Sequence, residues 1–147
     1  MAATDISLRT FINQAKIIIE SAGLRLSPSI FTIQATPKTI IDLAFCIDIQ
    51  TQDTGKYRCG GDDRVRVSHS LTIRFAKKLK PLDQFSSQLD ALDNEEIIIG
   101  KMISRTNMPD ARVLWKSTKR AVTTSREYLI VEILFDVEHD WSFISLE

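Results

Sequence analysis

The sequence predicts an α+β domain in the order helix, two strands, helix, two strands. The expected fold is a mostly antiparallel four-stranded sheet, built from two long hairpins, with helices packed on one face. Three observations predict it. Apolar residues recur every third or fourth position between 5 and 22, two long apolar/polar alternations flank residues 51–63, and a second alternating pair lies at 112–139. A period near 3.6 marks a one-sided helix and a period of two marks a strand with one buried face. The 147 residues, 44% hydrophobic and 26% charged, suffice for one core, so residues 1–147 are read as a single domain.

In the first element, Leu8, Phe11, Ile12, Ala15, Ile18, Ile19 and Ala22 share one helical stripe across 5–22. Thr4 or Asp5 is placed to cap it and Gly23 to end it. Residues 24–39 contain Pro28 and Pro37 and read as a connector, with a minor strand at 30–33.

The first hairpin is expected over 40–75. Ile41, Leu43, Phe45, Ile47 and Ile49 alternate with polar or small residues, as do Val65, Val67, His69, Leu71, Ile73 and Phe75. The thirteen residues between them, TQDTGKYRCGGDD, read as an oversized loop at 51–63, because hairpins ordinarily turn in about two to five residues.

Region 83–104 reads as helical in two pieces. Asp83 caps a short helix through Leu92, and Asp93 with Glu96 forms a capping box for a second segment beginning at Asn94. The closing hairpin, 112–139, turns at Thr123, Thr124 and Ser125, with Leu129, Val131, Ile133, Phe135 and Val137 inward. A turn centred on Thr124 would set Lys116 against Glu132 and Arg112 against Asp136.

Formal net charge is zero, which removes any global attraction to nucleic acid or anionic lipid. The charge is segregated, however. Residues 64–80 hold Arg64, Arg66, Arg74, Lys77, Lys78 and Lys80 and no acid, whereas 127–147 hold six acids and no Lys or Arg. The cations left over from local pairing, with Glu138, Asp140 and Glu147, read as complementary edges for self-association in a head-to-tail ring. The outward sheet face, from Asp42 and Asp48 through Arg66, Ser70 and Arg74 to Glu132 and Asp136, reads as wet enough to line a polar channel. No membrane partner is expected, since no apolar run approaches the roughly 18 residues of a span. The first residues lack signal-peptide blocks, so a cytoplasmic site of synthesis with reduced Cys46 and Cys59 is expected.

Two residue sets invite a catalytic or metal reading. Gly60-Gly61-Asp62-Asp63 resembles the acidic hairpin tips of cyclic-dinucleotide synthases and polymerase palms, but two-metal chemistry needs further carboxylates nearby. Asp42 and Asp48 sit far down the ladder, and turn chemistry accounts for the string. A zinc site from Cys46, Cys59, His69 and His139 fails on parity, because Cys46 falls on the opposite sheet face from both histidines. No catalytic residue, cofactor or metal is therefore assigned.

The order of elements, with LDALDNEEIIIGKMI on the helix and REYLIVEILFDVEHDW closing the chain, resembles the tail terminator (tail completion) proteins of long-tailed bacteriophages. The resemblance spans about 5–140 and rests on no invariant catalytic motif. It implies a non-enzymatic virion protein of the tail or neck, assembled in the host cytoplasm, that forms a six-membered ring on the tail tube. Such a ring ends tube polymerisation and offers a surface to the head-side connector or stopper protein, with DNA only as cargo in the channel. In this setting the 51–63 loop would reach a neighbour, with Tyr57 as anchor and Lys56 and Arg58 as polar grips. Rival expectations are another tail or neck component (tube-like or head-completion), a small metal-dependent phosphotransfer enzyme, and a nucleic-acid-binding module on the basic 64–80 strand. The last lacks the aromatic residues usual for stacking bases.

Overall fold

A computed structural model describes residues 8–27, 42–59, 64–109, 111–123 and 126–142, with the backbone alone at 8, 50–59, 64–66 and 140–142. Its elements are α1 (Leu8–Glu20), β1 (Arg25–Leu26), β2 (Ala44–Cys59), β3 (Arg64–Lys78), α2 (Gln84–Ile103), β4 (Arg112–Val122) and β5 (Tyr128–Ser142). The fold is α+β with a five-stranded mixed sheet in the order β1-β2-β3-β5-β4. The expected antiparallel set is present as β2, β3, β5 and β4, and the fifth strand is the short β1, parallel to β2.

The apolar stripe of α1 buries Phe11, Ala15 and Ile19, and the helix ends in a turn at Gly23, whose φ of +95° favours glycine. The chain then enters β1 directly, earlier than the expected minor strand at 30–33, which lies outside the described residues. Arg25 N donates to Leu43 O at 2.9 Å and Ser27 N to Phe45 O at 2.8 Å, giving β1 its parallel pairing. Leu43, expected inside a strand, instead has φ 58°, so β2 begins one residue later at Ala44.

The first hairpin corrects the oversized loop. Residues 51–59 continue β2, which pairs with β3 as far as Cys59↔Arg64. Two register shifts, between Ile49 and Thr51 and between Thr54 and Arg58, absorb the surplus residues on β2. Alternation vanishes at Gln50 because β2 turns polar there, while β3 keeps its own; Thr51 and Asp53 oppose Ser70 and Ser68, and Thr54 opposes Val67. Only Gly60 to Asp63 separates the strands, and that string lies outside the described residues.

Helix α2 is also continuous where two pieces were expected. Asp83 caps it, its Oδ1 accepting from Ser86 N at 3.1 Å. Asp93 sits mid-helix, and the buried line Ser87, Ala91, Glu95, Ile98, Met102 runs through it without a break. One core joins both helices to the inward rows of the sheet, including Phe45, Leu71, Ile73, Phe75, Ile133 and Phe135. Both helices therefore lie on the same sheet face.

The closing hairpin turns later than expected. Thr123 accepts from Arg126 N at 2.8 Å, and Arg126 takes a φ of 61°. Glu132 consequently opposes Lys119, and Arg112 opposes Glu138, correcting both predicted pairs. A shift between Trp115 and Ser117 isolates Lys116, whose Nζ reaches Asp136 at 3.3 Å.

Candidate assembly surface

The basic and acidic stretches singled out from sequence are neighbours inside one subunit. Strands β3 and β5 pair along their full length, setting Arg74 beside Glu132, Ser68 beside Glu138 and Arg66 beside Asp140. Arg74 is buried, with Nε 2.7 Å from Glu132 and Nη1 3.2 Å from Asp48. Burial alone would lower its pKa, but hydrogen bonds to Glu132 and Asp48 outweigh this and raise it. The expectation that Arg74 serves as a free contact is therefore corrected. The side chains of Lys56, Tyr57, Arg58, Arg64, Arg66 and Asp140 lie outside the described residues, while Glu138 is half-buried.

The outward sheet face is drier at its centre than its composition suggested. Thr72 and Arg74 are buried there, and Cys46, Ala76 and Ile130 form a small apolar cluster. Cys46 thus shares no face with the histidines. His69 and His139 stack in the inward rows, with Nε2 atoms 2.9 Å apart, ring centroids 5.0 Å apart and both rings buried. Burial, followed by the charge of His139, lowers the pKa of His69. No helix among the described residues is long and apolar enough to cross a membrane.

The surface that sequence reasoning missed lies along α2 and β4. Strand β4 is the sheet edge, with β5 on one side only. Arg120 on β4 opposes Val131 and so faces the helical layer, where Glu95 of α2 holds it. Glu95 is itself buried, on the inward line of its helix. That placement was readable from spacing: 87, 91, 95, 98 and 102 fall at helical intervals.

Large apolar side chains of the same two elements remain in solvent. Phe85 is 71% exposed and Trp115 51%, and Leu89, Leu92 and Val122 are also exposed. Between the helix and the edge strand runs a groove of about 380 Å³ lined by Gln88, Ala91, Leu92, Arg120, Val122 and Leu129 among others. The arrangement offers apolar contact area beside the Arg120–Glu95 pair, suited to holding another surface. The chain matches no family model, and no curated protein is similar to it in sequence.

Proposed function

We propose that this chain is a structural, self-associating subunit of the tail-terminator kind, forming a ring that caps a phage tail tube and presents a joining surface to the head-side connector. The observation that carries the reading is the exposed apolar surface along α2 and β4. The domain already buries a full set of aliphatic and aromatic side chains, yet leaves Phe85, Leu89 and Leu92 of α2 and Trp115 and Val122 of β4 in water. The groove that joins Leu92 to Val122 and Leu129 supports an interaction site, since exposed apolar patches mark such sites. The resemblance in element order supplies the identity of the assembly and its sixfold count.

The test is the mass of purified protein by light scattering over a concentration series, with negative-stain images of each peak. Rings with a central hole, or recruitment of monomers onto the ends of added tail tubes, are the expected results. A monomer that ignores tubes would overturn the reading. Magnesium-dependent phosphotransfer abolished by Asp62→Ala would replace it with the enzyme alternative.

A further inference from the structure

We propose that copies of this chain join head to tail, the acidic outward face of α2 in one subunit seating on the basic edge strand β4 of the next. The proposal rests on the self-association reading and names its contact.

Charge on these two elements is sorted by sign. Helix α2 carries Asp90, Asp93, Glu95 and Glu96 before its first cation, Lys101. Glu95 points inward to Arg120, leaving Asp90, Asp93 and Glu96 exposed. Strand β4 carries Arg112, Lys116, Lys119 and Arg120 and no acid. Lys116 is tied to Asp136 and Arg120 to Glu95, whereas exposed Arg112 and Lys119 form no ion pair with another described residue. The same holds for the three exposed acids of α2.

These surfaces cannot satisfy each other within one subunit. The line from Ser87 through Glu95 to Met102 faces the sheet, which turns Leu89, Asp93, Glu96 and Gly100 directly away from it. Across the β4–β5 ladder Arg112 opposes Glu138 and Lys119 opposes Glu132 without closing an ion pair, and a second copy can bring the exposed carboxylates of α2 to this rim. Two different patches on one chain make a heterologous contact, which repeats until a ring closes.

The apolar residues fit the same contact. Leu89 and Ile97 stand among the acids of α2, and Leu114 shares the outward side of β4 with Arg112 and Lys119, all exposed. Gly100 lies at the outward pole of α2, where an added Cβ would meet nothing within 4 Å. Glycine weakens a helix relative to alanine, and nothing inside the subunit requires it there, whereas it leaves room for the close approach of a second surface. The edge strand also resists simple sheet extension, because the irregularity at Lys116 and the inward Arg120 interrupt it. The contact is therefore between side chains of a helix face and a strand rim.

The experiment uses two full-length variants: Arg112→Glu with Lys119→Glu, which spoils the edge, and Asp93→Lys with Glu96→Lys, which spoils the helix face. All four positions are exposed. Each variant alone is expected to sediment as a monomer where wild type assembles. Mixed, the intact helix face of one meets the intact edge of the other, and the two reversed surfaces also complement each other, so the mixture assembles where each variant alone does not. The quadruple variant regains assembly. Gly100→Gln serves as an independent block, since its open surroundings let the monomer keep its melting temperature while assembly is lost. Wild-type rings untouched by every variant would overturn this contact and leave the ring reading standing. Wild type that stays monomeric, with no assembly in the mixture, would overturn both.

Discussion

Glu95 and Arg120 lock the second helix to the edge of the sheet: Arg120 Nη2 lies 2.6 Å from each Glu95 carboxylate oxygen, and Nε lies 2.9 Å from Oε1. The two partners are unequal in burial. The Glu95 side chain is 6% exposed and that of Arg120 43%.

That inequality predicts unequal mutational costs. Arg120→Ala strands a buried carboxylate and should cost about 3–5 kcal/mol. Glu95→Ala leaves a guanidinium already half in water, so the loss should be nearer ~1.5 kcal/mol. Urea unfolding of both variants checks this. Equal losses would show that the shared bonds, rather than the stranded charge, set the cost.

Arg74 makes a second prediction. It stands on β3 between Asp48 of β2 and Glu132 of β5, so Arg74→Met leaves two carboxylates facing each other across a strand. A loss of about 3 kcal/mol is expected, tempered by the partial exposure of both acids. Adding Asp48→Asn should recover part of it. A denaturant series on the single and double variants measures the recovery, and no recovery would mean that Arg74 acts through packing alone.

The sequence made the core legible because its periods were unbroken. Phe11, Ala15 and Ile19 recur at helical spacing, and Leu129 to Val137 alternate without a fault, so burial followed pattern. It hid what depended on register. Thr51 to Cys59 carry no apolar alternation, and bulges shift their pairing, so a strand read as a loop. The same blindness misplaced the charges. Acidic β5 and basic β3 look like two free surfaces until the topology makes them neighbours, and Arg120 looks like one more surface cation until its strand parity points it at Glu95.

Capping tests the continuity of α2. Asp83 accepts from Ser86 N and caps the start of the helix, so Asp83→Ala should cost about 1 kcal/mol. Asp93 lies inside the helix, where alanine is the better helix former, so Asp93→Ala should be neutral or slightly stabilising in the dilute monomer. Thermal melts followed by circular dichroism distinguish the two. A comparable loss at both positions would restore the two-helix reading.

The histidine pair predicts how stability depends on pH. With Nε2 atoms 2.9 Å apart, one ring must donate while the other accepts, so the bond as drawn needs at least one neutral ring. His69 Nδ1 is buried without a hydrogen-bond partner, and burial followed by the His139 charge holds the His69 pKa below the ordinary histidine value of about 6.5. Its folded pKa thus lies below its unfolded one, so the unfolded chain binds more protons as pH falls past about 6.5. Stability should be level with respect to this group above that point. It should decline below it until the folded pKa is reached, by at most about 1.4 kcal/mol per pH unit for one proton. His69→Phe removes the titrating ring and keeps an apolar body on the inward row. Its unfolding free energy should therefore fall less than that of wild type between about pH 7 and about pH 5. Equal declines in urea unfolding at the two pH values would place the acid sensitivity elsewhere in the molecule.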